Sequence, residues 1–373
     1  SEKEVQSWRN SMMYMDKVIA DNELPGNIGI SIECQIPQTS KRMDFIISGY
    51  NENNIPNLVI IELKQWQTAK LTDKDGVVKT ILGGGEHETS HPSYQAWSYA
   101  TLLNDFSEVV YTEKIPLNPC AFLHNYAPDN IIRNERYAPY LAKAPVFLKT
   151  EMNQLRSFIR KFVKKGDEGD LMYRIENGRI KPSRQLSETL SGMIRGNKEF
   201  VLIDEQKLVY ETALSLMQKA QKGPKQVLIV EGGPGTGKSV VAINLLVEAT
   251  ARQMLAQYVS KNAAPRAVYA SKLEGVISGT RFKALFQGSG SFHDSEKNKF
   301  DILIVDEAHR LNEKSGMFQN IGENQVKEII QASRSAVFFI DEDQRVTMKD
   351  IGSTGEIAKW ASNIGAELTT MKL

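Results

Sequence analysis

The run "KQVLIVEGGPGTGKSVVAINLLVEAT", Lys225 to Thr250, constrains the fold more than any other. A short apolar stretch reads as a buried strand, a glycine-rich turn follows, and an apolar-periodic segment then reads as a helix. Gly232 to Ser239 fits G-x-x-x-x-G-K-[ST] in the right strand–loop–helix context. Glycines let backbone N–H groups wrap a phosphate. The loop residues Gly232, Gly233, Pro234, Gly235, Thr236 and Gly237 are thus a candidate nucleotide cradle. Lys238 is expected to reach the outer phosphates, and Ser239 to offer its hydroxyl to Mg²⁺.

Three more apolar runs end in polar residues: "AQYVSKNAAPR", "FDILIVDEAHRL" and "AVFFIDEDQRV". Strands alternating with helices imply a parallel doubly wound sheet, whose ligands sit at the carboxyl ends of the strands. Two acids directly after an apolar strand need a reason, and a divalent cation supplies one. Asp306 is therefore assigned to Mg²⁺ and Glu307 to the attacking water. At the third strand end Gln344 is placed to sense the γ-phosphate, with Asp341 in support. Upstream, "FVLIDEQ" puts Gln206 just before a helix, where its amide can read an adenine edge.

Together these motifs resemble superfamily 1 helicases over about residues 200–373. The resemblance implies ATP as the nucleotide and a RecA-like fold. It also implies that Tyr258 to Arg266, "YVSKNAAPR", belongs to the region that grips single-stranded nucleic acid. Such helicases place ATP between two RecA-like folds. Only one is legible here, so the expectation is half a motor, completed by a longer chain, a second copy or a partner subunit.

Near the start, "NLVIIELKQW" places Glu62 and Lys64 two apart on an apolar strand, so they share a face. A solvated strand end is the plain reading, and a metal site the sharper one. Asp44 opens "DFIISGY" on the strand before. D…E-x-K across a turn resembles the PD-(D/E)XK nucleases. The resemblance implies Asp44 and Glu62 as metal ligands and Lys64 as the group that orients water for attack on a phosphodiester. Glu33 and Glu4 are further candidate metal contacts. Gln95 and Tyr99, four apart on the next helix, resemble the Q-x-x-x-Y of the RecB-like branch. That branch often carries a metal-binding histidine before the Asp, and none precedes Asp44. His91 reads better as a solvated or helix-capping residue.

The fold class expected is α/β, in three parts: 1–126 a PD-(D/E)XK nuclease-like domain, 127–200 a partly helical connector, and 201–373 a RecA-like P-loop NTPase domain with a parallel sheet. A chain of 373 residues has room for two or three domains. A net charge of +1 restricts any nucleic-acid surface to a local patch. Two cysteines, Cys34 and Cys120, make no disulfide framework and point to a reducing cytoplasm. No apolar run is long enough to span a bilayer.

"SKRMDFII", "IELKQW", "LHNY", "LIDEQ" and "STGEIAKWA" resemble bacterial proteins that fuse a PD-(D/E)XK domain to a Schlafen-type helicase domain. That resemblance implies an ATP- and Mg²⁺- or Mn²⁺-dependent nuclease acting on DNA first and RNA second, in phage defence or repair. Two other readings stand beside it: a nucleotide-gated sensor whose N-terminal domain grips without cutting, and a plain P-loop ATPase.

Overall fold

A computed structural model describes residues 2–20, 23–36, 39, 41–167, 169–179, 186–194, 201–316, 320–345 and 350–373. The chain divides into two units, Ser1–Ser183 and Arg184–Leu373.

The first unit opens with helix α1 (Glu2–Ile19). An antiparallel meander follows: β1 (Gly29–Gln35), β2 (Arg42–Tyr50) and β3 (Pro56–Lys64). The β2–β3 turn is closed by Asn51, whose side-chain oxygen accepts from the backbone N–H groups of Asn53 and Ile55 at 2.9 and 3.0 Å. A small antiparallel sheet intervenes: β4 (Ala69–Leu71), β5 (Val77–Leu82) and β6 (Gly85–Ser90). Helices α2 (Pro92–Phe106) and α3 (Glu108–Glu113) lead into β7 (Leu117–Leu123), which pairs in parallel with β3. After α4 (Ala138–Leu141), β8 (Val146–Leu148) adds to β7, giving the order β1-β2-β3-β7-β8. Helices α5 (Met152–Phe162) and α6 (Asp170–Asn177) complete the unit.

Alternation along β2 and β3 sends Phe45, Ile47, Val59 and Ile61 into a core with Met15 and Val18 of α1 and Leu155 and Ile159 of α5. Glu62 and Lys64 therefore lie on the opposite face. The segment 127–183, expected as part of a connector, belongs to this unit. β8 extends its sheet and α5 covers its core. Helix α5 stops at Phe162, because Lys164 and Lys165 leave it to bond the backbone of Tyr50.

The second unit begins with α7 (Leu186–Ile194) and α8 (Asp204–Lys222). Next come β9 (Gln226–Glu231), α9 (Lys238–Ala251), β10 (Ala256–Ser260), α10 (Ala263–Leu273), α11 (Gly279–Leu285) and β11 (Phe286–Gln287). It closes with β12 (Phe300–Asp306), α12 (Gln325–Ala332), β13 (Ser333–Ile340), α13 (Thr354–Ile364) and β14 (Glu367–Lys372). Its sheet has the order β11-β10-β12-β13-β9-β14, and every pairing is parallel. Residues of α7 to α9 fill one face and residues of α12 and α13 the other. Both faces are covered, so the strands read as continuous apolar runs. β9 and β12 are separated by β13, and all three end at the same rim.

Gly49 tests the tie between β2 and the 163–165 segment. A Cβ there would stand 2.6 Å from the Lys165 carbonyl oxygen and 2.7 Å from a Val163 methyl. Gly49→Ala should destabilise the fold by about 1–3 kcal/mol, read as a lower denaturant midpoint. An unshifted midpoint would remove that segment from the first unit's packing.

Candidate functional site

At the rim of the second unit's sheet, β9 ends and the glycine loop begins. The Gly232 N–H donates to the Ile340 carbonyl at 3.0 Å, fastening the loop to β13. The Thr236 hydroxyl donates to the Gly233 carbonyl at 3.0 Å. Gly235 and Gly237 have φ of +78° and +88°, a region that side chains strain to reach. A Cβ on Gly233 or Gly235 would meet nothing within 4 Å, so the space over the loop is open. α9 starts at Lys238 and aims its first-turn N–H groups and dipole at that space. The Lys238 ammonium folds back to donate to the Gly232 and Gly233 carbonyls at 2.5 and 2.7 Å. It lies 3.7 Å from an oxygen of Asp341.

Asp306 ends β12 and is 4% exposed. Its Oδ2 accepts from the Ser239 hydroxyl at 2.6 Å and from the Tyr258 hydroxyl at 2.6 Å. Its Oδ1 accepts from the Glu307 N–H at 3.0 Å. Glu307 follows with φ of +53°, left-handed backbone in a non-glycine residue. Burial, then the neighbouring Asp306 charge, hold its carboxyl above the ordinary range, while Arg310 and Lys238 oppose them. Glu307 Oε2 and Asp341 Oδ2 are buried without a hydrogen-bond partner. A half-buried Glu307 with an oxygen that accepts no hydrogen bond, a buried Asp341 facing one ammonium, a hydroxyl and a helix N-terminus fit a nucleotide polyphosphate with its divalent cation.

The other expected contacts are distributed around this centre. Gln206 is the third residue of α8, inside the helix rather than before it. Its amide nitrogen donates to the Thr236 carbonyl at 2.9 Å, and its oxygen accepts from the Ile203 N–H at 3.3 Å. It therefore braces the loop. Gln344 is exposed in the short turn after β13. In the segment expected to grip single strands, Tyr258, Val259 and Ser260 are buried strand residues. Asn262 caps α10, and Arg266 donates to the Ser260 carbonyl. Lys261 donates to Asn312 at 2.8 Å and stands 3.2 Å from Asp350, the carboxylate that also faces Arg310 at 3.6 Å.

Sequence reasoning assigned no role at this centre to Tyr258 or His309. His309 is buried, its Nδ1 has no hydrogen-bond partner, and burial lowers its pKa. Its position two residues after Glu307 was a usable signal. Nothing in the sequence sends the Tyr258 hydroxyl to Asp306.

In the first unit, Asp44, Glu62 and Lys64 come together. Glu62 is 3% exposed, and the Lys64 ammonium donates to its Oε1 at 2.8 Å. Asp44 accepts from the Leu63 N–H at 2.7 Å, beside Glu62. Burial raises the Asp44 pKa, and Lys64 opposes that shift. The Gln95 amide donates to the Tyr99 hydroxyl at 2.9 Å within α2. Glu33 has φ of +55° and pairs instead with Arg42 at 3.1 Å. The Glu4 side chain lies outside the described residues. His91 is fully buried and caps α2. It accepts from Ser93, bonds the Ile132 carbonyl at 2.8 Å and stacks on Tyr137, and burial lowers its pKa to about 4. It is a neutral structural residue. Among the described residues, no three His, Cys, Asp or Glu side chains are grouped so as to hold a metal ion.

The fold defines the second unit as an α/β domain with a parallel sheet. Residues 225–373 match the family described as "Schlafen group 3, DNA/RNA helicase domain". That stretch is thus similar to a helicase domain. Gln206 and the first unit lie outside that match. A solved structure, the C-terminal domain of a possible DNA helicase from Lactobacillus plantarum WCFS1, is 12% identical, with a TM-score of 0.25. The alignment covers 43% of this chain and 95% of that one. No curated protein matches. No described helix is long and apolar enough to cross a membrane.

The raised Glu307 pKa has a consequence for stability. A carboxyl whose folded pKa is raised favours folding at low pH, and that contribution is lost as pH rises through the folded value. Glu307→Gln should therefore raise the melting temperature at pH 8, with the gain vanishing near about pH 4. Equal melting temperatures at pH 8 would contradict the environment described for Glu307.

Proposed function

We propose that this chain is an ATP-dependent nuclease–helicase acting on nucleic acid, DNA before RNA. Its second unit binds ATP on Gly232–Ser239, and its first cuts phosphodiesters at Asp44, Glu62 and Lys64. The observation that carries the proposal is the rim constellation: Lys238 facing Asp341, and Ser239 sharing Asp306 with Tyr258. The match of residues 225–373 to a DNA/RNA helicase domain supports nucleic acid as the partner. The setting, phage defence or repair, rests on the sequence resemblance.

In this reading the loop N–H groups and Lys238 bind the phosphates, Lys238 giving up two loop carbonyls to do so. Ser239 and Asp306 would hold Mg²⁺, which when bound neutralises phosphate charge. Glu307 stands beside them with a free oxygen and a raised pKa, suited to take a proton from water. Gln206 reads the adenine edge by exchanging its bond to Thr236, and Gln344 reports on the γ-phosphate. In the first unit Asp44 and Glu62 would hold a divalent ion, with Lys64 moving aside to orient water. Gln95 and Tyr99 support that site from α2.

One observation favours a second reading, in which the first unit grips a strand without cutting it. The Lys64 ammonium already neutralises Glu62, and Glu33 is committed to Arg42.

Lys238→Ala should abolish ATP binding at micromolar nucleotide in an equilibrium titration, and retained micromolar affinity would refute the loop assignment. Glu62→Ala should lower Mn²⁺- or Mg²⁺-dependent cleavage of DNA by at least about 10²-fold while ATP binding persists. A wild-type chain that binds a single strand yet cleaves neither DNA nor RNA would select the second reading.

A further inference from the structure

Tyr258 lies on β10 and is 1% exposed, yet its hydroxyl is not idle. It donates to the same Asp306 oxygen that receives the Ser239 hydroxyl, each at 2.6 Å. The β10–β12 register pairs Tyr258 with Ile304 and Ser260 with Asp306, so the ring leans along the sheet to reach the strand end. It is held there by Phe286, at 5.5 Å between ring centres, and by Tyr269 of α10, edge-on at 5.9 Å. Packing thus ties α10 to Tyr258 through the Tyr269 ring, and hydrogen bonds tie Tyr258 to Asp306 and Ser239 to the same carboxylate.

We propose that Tyr258 is the positioning residue for Asp306, and that it links the metal–nucleotide site to helix α10 and its leading loop, Lys261–Asn262. The inference rests on the nucleotide site proposed above. If Ser239 turns to a bound cation, the Tyr258 hydroxyl remains as the fixed donor that orients the Asp306 carboxylate. Outer hydrogen bonds of this kind typically change metal affinity 10–100-fold. A strand lying on the loop that opens α10 would shift Tyr269 and, through it, the carboxylate.

The test uses the full chain, a fluorescent ATP analogue, Mg²⁺ and a single-stranded oligothymidylate. Tyr258→Phe removes one oxygen and keeps the ring, and thermal melting checks the fold. It should leave metal-free nucleotide binding within about twofold. The Mg²⁺ concentration that half-saturates the metal-dependent gain in binding should rise about tenfold or more. The oligothymidylate should no longer alter that concentration. Tyr269→Leu removes the edge-on ring contact and should lose the oligothymidylate effect alone, and it keeps the coupling testable if Tyr258→Phe melts too low to assay. Wild-type Mg²⁺ dependence in Tyr258→Phe, or an intact oligothymidylate effect in Tyr269→Leu, overturns the link. A wild-type chain that binds no ATP overturns the nucleotide site itself, a result distinct from either.

Discussion

The Asp306 carboxylate accepts hydrogen bonds from three places: the first turn of α9 through Ser239, strand β10 through Tyr258, and its own chain through the Glu307 N–H. A buried carboxylate without such partners costs several kcal/mol or takes up a proton instead. Ser239, Tyr258 and the Glu307 N–H satisfy it inside the domain, and each partner is fixed in turn. The parallel register that sets Ser260 against Asp306 puts Tyr258 within reach. The left-handed glycines put Lys238 and Ser239 at the helix start. Glu307 Oε2 keeps no hydrogen-bond partner, and Asp341 Oδ2 has only the Lys238 ammonium, 3.7 Å away. Acidic oxygens so placed, beside a helix N-terminus, are what a cation with a polyphosphate would satisfy.

The first unit meets the same problem with a local answer. Glu62 and Asp44 are pressed together, and Lys64 from the same strand supplies the counter-charge. Such a pair is closed until something displaces the ammonium. A metal ion with a scissile phosphate can do so, and a gripped strand need not. The two readings of this unit therefore differ in whether Lys64 leaves Glu62.

Much of the second unit could be read from its sequence because both faces of its sheet are covered. That makes the strands continuous apolar runs, and the glycine loop marks where one of them ends. β14 escaped notice because "ELTTMK" is a half-exposed edge strand with mostly polar residues. In the first unit the β4–β6 sheet was missed for a similar reason. Its strands are short, and "GEHETS" carries no apolar alternation. β8 is three residues long and hid inside the supposed connector. Gln206 could be picked out as important, but its bond to Thr236 depends on how α8 lies against the loop. Tyr258 read as one more apolar strand residue, and only the packed sheet shows where its hydroxyl goes.

The central claim is that Asp306 organises the cation–nucleotide site. Isothermal titration of ATP, with and without Mg²⁺, into wild type and Asp306→Asn tests it directly. The account predicts that Mg²⁺ tightens ATP binding to the wild type by about tenfold or more, an increment of about 1.4 kcal/mol. In Asp306→Asn that increment should be absent while metal-free binding survives. An Asp306→Asn chain with the full Mg²⁺ increment would contradict it.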